Sequence, residues 1–176
     1  MFVRNCWYMA GWSRDFTEEK PVAATILGES IVIYRTANGT AVALRDRCAH
    51  RFAPLSMGRV EGNDLRCMYH GLKFAPTGKC IEVPGQQKIP PQACVRAYPI
   101  VDKYSGAWVW MGDSAKADES LIPNFVGIDD PAWVMPCAMM RITERSTQDG
   151  DTGHGELRFC APTIFPKNEM RRPCRL

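Results

Sequence analysis

A chain of 176 residues has room for one well-buried domain of ordinary size and some further length, since domains run to roughly 100–200 residues. At 45% hydrophobic and 23% charged, the composition is that of a folded globular protein and excludes wholesale disorder. The 22 basic and 19 acidic residues leave a net charge of +3 with no basic block, so neither nucleic acid nor a membrane surface is expected as a partner.

The opening MFVRNCWYMAGWSRDF has no uninterrupted apolar run and no small-residue cleavage site, and nothing in the chain approaches the ~20 apolar residues that span a bilayer. The expected location is the cytoplasm. Short β-patterned runs then alternate with turn signals. VAATIL (22–27) and SIVIYR (30–35) flank a Gly-Glu hairpin signal, and ANGT turns the chain into AVALRD (41–46). APTGK (75–79) is a second turn before CIEV (80–83), and CVRAYPIV (94–101) and GAWVWMG (106–112) supply two more strands rich in β-branched and aromatic residues. With 13 prolines and 14 glycines as punctuation, the pattern predicts an all-β domain of short antiparallel strands ending near Gly112. Trp7, Tyr8, Trp108 and Trp110 are expected in its core or in the seam between its sheets.

After Asp113 the texture changes to a polar connector, SAKADESLIPNFVGIDDPAWV, and from Arg141 onward neither the helix nor the strand period is kept. The expected division is 1–113 as a domain, 114–141 as a connector, and 142–176 as a tail whose composition fits a frameshifted or prematurely ended reading frame.

Eight cysteines in a reducing compartment point to metal or redox roles for those that stand close to histidines. Only Cys48 and Cys67 do so; Cys6, Cys80, Cys94, Cys137, Cys160 and Cys174 read as small buried or incidental residues. Cys48-Ala49-His50 is followed, after the 16 residues 51–66, by Cys67-Met68-Tyr69-His70. Each segment offers one thiolate and one imidazole, and each is followed by a residue that lets the backbone bend, Pro54 and Gly71. A zinc site is the plainer alternative, but zinc knuckles usually carry a CxxC pair in one arm and a paired-His arm in the other. Mixed arms make sense when two metal ions are gripped by both loops, one taking the thiolates and the other the imidazoles. That is the ligand set of a Rieske [2Fe-2S] cluster. Two neutral imidazoles in place of two thiolates remove negative charge, so an added electron meets less repulsion and the potential rises above that of an all-cysteine cluster. The free ring nitrogens of His50 and His70 can also lose protons, which couples electron transfer to pH where they face solvent.

NCWYMAGW, CAHRFAPLSMG, RCMYHGLKFAPTGKCIEVPGQ and WVWMGD together resemble, over residues 1–140, the oxygenase components of the vanillate O-demethylase and toluenesulfonate monooxygenase group of Rieske non-haem iron oxygenases. The resemblance implies antiparallel sheets with a small cluster-binding subdomain, Cys48, His50, Cys67 and His70 as cluster ligands, and an NAD(P)H-dependent reductase as electron donor. It also implies a following domain with a mononuclear non-haem Fe(II) that activates dioxygen, in a homotrimer. High-potential respiratory Rieske proteins resemble one another in carrying a loop disulfide and a serine where this chain has Ala53, Tyr69 and Leu72, so a potential toward the low end of the Rieske range is expected.

The chain departs from that group in its histidine count. A mononuclear oxygen-activating iron is expected to need two histidines and a carboxylate. Of three histidines, two belong to the cluster reading, which leaves His154 in TGHGE, more in keeping with an exposed loop than a ligand. The reading is therefore an electron-transfer domain of an aromatic-compound monooxygenase or O-demethylase that does not complete oxygenation by itself. A stand-alone Rieske ferredoxin is the alternative, against which the opening segment and the connector weigh. Arg45, Arg47 and Arg51 read either as solvated loop residues or as a docking face for an acidic reductase domain, and Tyr69 as an aromatic shield.

Overall fold

A computed structural model of the full chain describes residues 3–125, 133–134 and 165–166. Eleven strands lie in the unit formed by Met1–Pro123. They are β1 (Cys6–Trp12), β2 (Val22–Ile26), β3 (Glu29–Arg35), β4 (Ala41–Arg45), β5 (Arg59–Glu61), β6 (Asp64–Arg66), β7 (Lys73–Phe74), β8 (Cys80–Glu82), β9 (Ala97–Tyr98), β10 (Ile100–Lys103) and β11 (Gly106–Met111). They form three antiparallel sheets, ordered β1-β11-β10, β2-β3-β4-β9 and β5-β6-β7-β8. The all-β architecture expected from the sequence is the one observed. In the second unit, Asn124–Leu176, Trp133–Val134 pair antiparallel with Phe165–Pro166.

The middle sheet is buried on both faces, which explains why β3 reads as a continuous apolar run rather than an alternation. Ile31 and Ile33 point into one core with Ala43, Val109 and Met111; Val32 and Tyr34 point into another with Val42, Leu44, Leu55, Leu65 and Phe74. The first core lies against the β1-β11-β10 sheet. The second reaches the β5–β8 sheet and includes Cys48 and Cys67, so the two cysteine candidates are built into a hydrophobic core. Each large aliphatic side chain so buried contributes about 1.5–3 kcal/mol.

Two tight hairpins take positive φ at both turn residues, as the twist of the strands favours: Leu27 (52°) with Gly28 (76°), and Tyr104 (53°) with Ser105 (57°). The first turn therefore sits one residue earlier than the expected Gly-Glu, with Ile26 paired to Glu29 as the closing pair. Trp7 and Trp110 are register partners whose rings meet edge to face at 5.3 Å, and Trp7 Nε1 donates to the Asp118 carbonyl at 2.7 Å. The chain beyond β11 is thus held against β1 at Asp118. β1, β5, β6 and β7 were not legible as strands, since three of them have only two or three residues and β1 is interrupted by a bulge at Met9–Gly11.

Candidate metal centre

The first candidate loop leaves β4 at Arg45 and returns into β5 at Arg59. Its base is tied by Asp46, whose carboxylate accepts from Ser56 N–H at 2.7 Å and Ser56 Oγ–H at 2.6 Å. Its tip is closed by Cys48 N–H to Ala53 O at 2.8 Å and Phe52 N–H to Cys48 O at 3.0 Å. The reversal falls at Phe52, with φ 59°, and not at Pro54, which is extended and leads a single 3-10 turn over Leu55–Met57. Leu55 is fully buried and anchors that turn. Gly58 follows because β6 passes directly against it: a Cβ there would lie 2.1 Å from the Arg66 carbonyl oxygen.

The second loop connects β6 to β7. Cys67 N–H bonds to Leu72 O at 2.8 Å and Gly71 N–H to Cys67 O at 3.1 Å, with Gly71 at φ 73° as the sequence led one to expect of a glycine in a turn. Arg66, immediately before Cys67, fixes this loop to the sheet. Its Nε donates to Glu61, its Nη1 and Nη2 form a fork on Glu82 at 3.0 and 2.9 Å, and Nη1 also donates to the Gly71 carbonyl at 2.7 Å. The guanidinium holds the Glu82 and Glu61 carboxyls below the usual carboxylate range, and they hold the guanidinium well above its own.

The loops bring the four candidates together as two pairs of different character. Cys48 and Cys67 are each 2% exposed and belong to the same buried cluster. His50 and His70 are exposed, their ring centroids 4.6 Å apart at 67°. Burial raises the Cys48 thiol above the ordinary cysteine value; backbone amides of His50 and Arg51 donate to its sulfur and oppose that shift, while the neighbouring Cys67 adds to it. A thiolate in so dry a place needs a cation beside it, which is the situation of a metal-bound sulfur. Among the described residues no group of three or more His, Cys, Asp or Glu side chains is gathered to hold a single metal ion.

Tyr69 packs on His70, ring centroids 3.9 Å apart, and remains 56% exposed, so it screens the imidazole from one side. Arg45, Arg47 and Arg51 are exposed, and none forms an ion pair among the described residues. Cys6, Cys80 and Cys94 carry no disulfide; Cys80 is buried and its thiol faces the Glu82 carbonyl at 3.3 Å. His154, Cys137, Cys160 and Cys174 lie outside the described residues. Asp46, Ser56, Glu61, Arg66 and Glu82, which position the loops, were not anticipated. The one signal for Arg66 in the sequence is that an Arg-Cys dipeptide opens both arms, as Arg47-Cys48 and Arg66-Cys67.

Residues 6–99 match the Rieske [2Fe-2S] domain profile, and the chain belongs to that family. Membership implies a [2Fe-2S] cluster. The chain is 47% identical over 135 residues to the iron-sulfur subunit TsaM1 of the toluene-4-sulfonate monooxygenase system of Comamonas testosteroni, covering 77% of this chain and 39% of that protein. It is 43% identical over 133 residues to the oxygenase component of dicamba O-demethylase of Stenotrophomonas maltophilia, covering 75% of this chain and 39% of the relative. The vanillate O-demethylase oxygenase subunit of a Pseudomonas strain (HR199) is 40% identical over 133 residues, covering 76% of this chain and 37% of that subunit. In structure the chain resembles apo dicamba monooxygenase with a TM-score of 0.73 and 41% identity, over 77% of this chain and 42% of that one. The chain therefore spans about two fifths of the length of the relatives it matches. Among the described residues no helix is long and apolar enough to cross a membrane.

Proposed function

We propose that residues 1–113 form the electron-transfer domain of an aromatic-compound monooxygenase or O-demethylase oxygenase component, and that Cys48, His50, Cys67 and His70 are its cluster ligands. Cys48 and Cys67 would hold one iron and His50 and His70 the other. When bound, the cluster supplies reversible one-electron chemistry at a potential raised by its two neutral ligands. The observation that carries the assignment is the segregation of donors, two cysteines buried in one cluster and two exposed imidazoles whose ring centroids lie 4.6 Å apart.

The residues around the donors suit this use. Leu55, Leu65 and Leu72 keep water from the sulfurs, and the amides of His50 and Arg51 place donors on the Cys48 sulfur, favouring its thiolate. The exposed imidazoles give an electron a short path to a partner protein. Arg45, Arg47 and Arg51, exposed at the start and tip of the first loop, supply positive charge suited to docking an acidic reductase domain using NAD(P)H. Residues 114–141 are read as a connector and the start of a catalytic domain, 142–176 as a tail, and the cytoplasm as the location. With two of three histidines assigned to the cluster, this chain alone does not furnish a mononuclear Fe(II) site, and the homotrimer belongs to the full-length relatives as a proposal for them.

Iron and acid-labile sulfide assays on the purified chain test the reading. About two of each per chain, with a visible spectrum that bleaches under dithionite, are expected. A colourless, zinc-loaded protein would refute the cluster, and a third tightly bound iron would contradict the histidine count.

A further inference from the structure

The two loops share a frame that their motifs disguise, because the imidazole stands two residues after cysteine in one and three after it in the other. Counted from each cysteine, the same two backbone bonds close both tips, and the fourth residue, Phe52 or Gly71, is the left-handed one. The residue before each cysteine is an arginine, and each arginine reaches that same left-handed residue of its own loop. Arg66 Nη1 donates to the Gly71 carbonyl at 2.7 Å; the Arg47 guanidinium lies over the Phe52 ring, 3.9 Å from its centroid.

We propose that Arg47 and Arg66 are a matched pair of positioning residues, each clasping the left-handed residue of its own loop so that His50 and His70 leave the two tips at a fixed separation. The inference rests on the assignment of those histidines as ligands. The clasps differ because the clasped residues do. Gly71 has only a backbone carbonyl to offer, so Arg66 takes it by a charge-assisted hydrogen bond. Phe52 carries a side chain in a conformation that disfavours one, and the residue is 61% exposed, so burial does little to hold it. A planar guanidinium over the ring face supplies the missing contact. Arg66 is itself fixed by two carboxylates, whereas Arg47 forms no ion pair among the described residues. The His50 loop is accordingly the softer of the two.

The test uses the full chain with its cluster, hydrogen exchange read by mass spectrometry over peptides spanning residues 48–54 and 67–73, and electron paramagnetic resonance of the reduced protein. Arg66→Lys keeps the charge and loses the fork; the 67–73 peptide should exchange about tenfold faster and the resonance should broaden or shift, while residues 30–35 stay within about twofold of wild type. Arg47→Ala should speed the 48–54 peptide a few-fold, and should do nothing further in a Phe52→Gly background, where there is no ring to clasp. A general structural role would instead speed residues 30–35 along with the loops and leave the resonance as it was. Unchanged loop exchange in the single variants, an Arg47→Ala effect of equal size in the Phe52→Gly background, or an Arg66→Lys chain that fails to fold would each overturn the local clasp. A wild-type chain with no cluster resonance would instead remove the ligand assignment, while the exchange measurements would still report on the loops.

Discussion

Asp46 accepts two hydrogen bonds from Ser56, 2.7 Å from its amide and 2.6 Å from its hydroxyl, and so ties the base of the first candidate loop to the residue ten positions on. Asp46→Ala leaves both Ser56 donors without their partner and should cost about 1.5–3 kcal/mol in denaturant unfolding of the cluster-loaded chain. Ser56→Ala removes only the hydroxyl bond and should cost about 1 kcal/mol. Equal losses would show that the amide bond contributes nothing.

Glycine substitutions separate contact from conformation. Gly58→Ala drives a Cβ to within 2.1 Å of the Arg66 carbonyl oxygen and 2.9 Å of that of Leu55, both backbone, and should cost about 3 kcal/mol or more, with loss of bound iron. At Gly62, φ is 67° but nothing lies within 4 Å, so Gly62→Ala should cost only the left-handed penalty of about 1 kcal/mol. Midpoints of urea unfolding distinguish the two.

Much of the fold was legible because β3, β4 and β11 are long and apolar enough to declare themselves. β5, β6 and β7 were not, since two or three residues carry no period; their backbone pairing defines them, and Arg66 adds a bridge from Glu61 on β5 to Glu82 on β8. That the two cysteine-histidine segments pair was an expectation from their spacing, and the structure sets His50 beside His70. The matched loop frame was not legible, because the histidine offsets differ and the bend at Phe52 falls on a residue type that gives no warning of positive φ.

Acid sensitivity should come in part from the far end of the sheets. A hydrogen bond from Arg35 holds the Asp102 carboxyl below its ordinary value, with a second from Ser13; burial opposes the shift. A carboxyl whose pKa is lower folded than unfolded binds more protons when unfolded, so its contribution is present above the unfolded value of about 3.9 and is lost as pH falls through the depressed folded value. Asp102→Asn should reduce stability at pH 7 by about 1 kcal/mol, a figure discounted for the solvent access of this pair, and should flatten the loss of stability below pH ~4. An unchanged acid limb would contradict the role of the pair.

The midpoint potential should lie toward the low end of the Rieske range, near about −150 mV, because Ala53, Tyr69 and Leu72 stand where respiratory Rieske proteins carry cysteines and a serine. Leu72→Ser should raise it: a hydrogen bond worth about 1.4 kcal/mol more to the reduced state is worth about 59 mV for one electron. Protein-film voltammetry reads both values, and a wild-type potential above zero would contradict the expectation.

The central claim, that the buried thiols and the exposed imidazoles serve two different irons, is tested most directly by nitrogen electron-nuclear double resonance on the dithionite-reduced chain. The added electron should settle on the iron with neutral ligands, where repulsion is least, so two strong nitrogen couplings are expected, and Cys67→Ser and His70→Ala should each abolish the parent signal. A reduced cluster with no strong nitrogen coupling, or one whose couplings survive His70→Ala, would contradict the account.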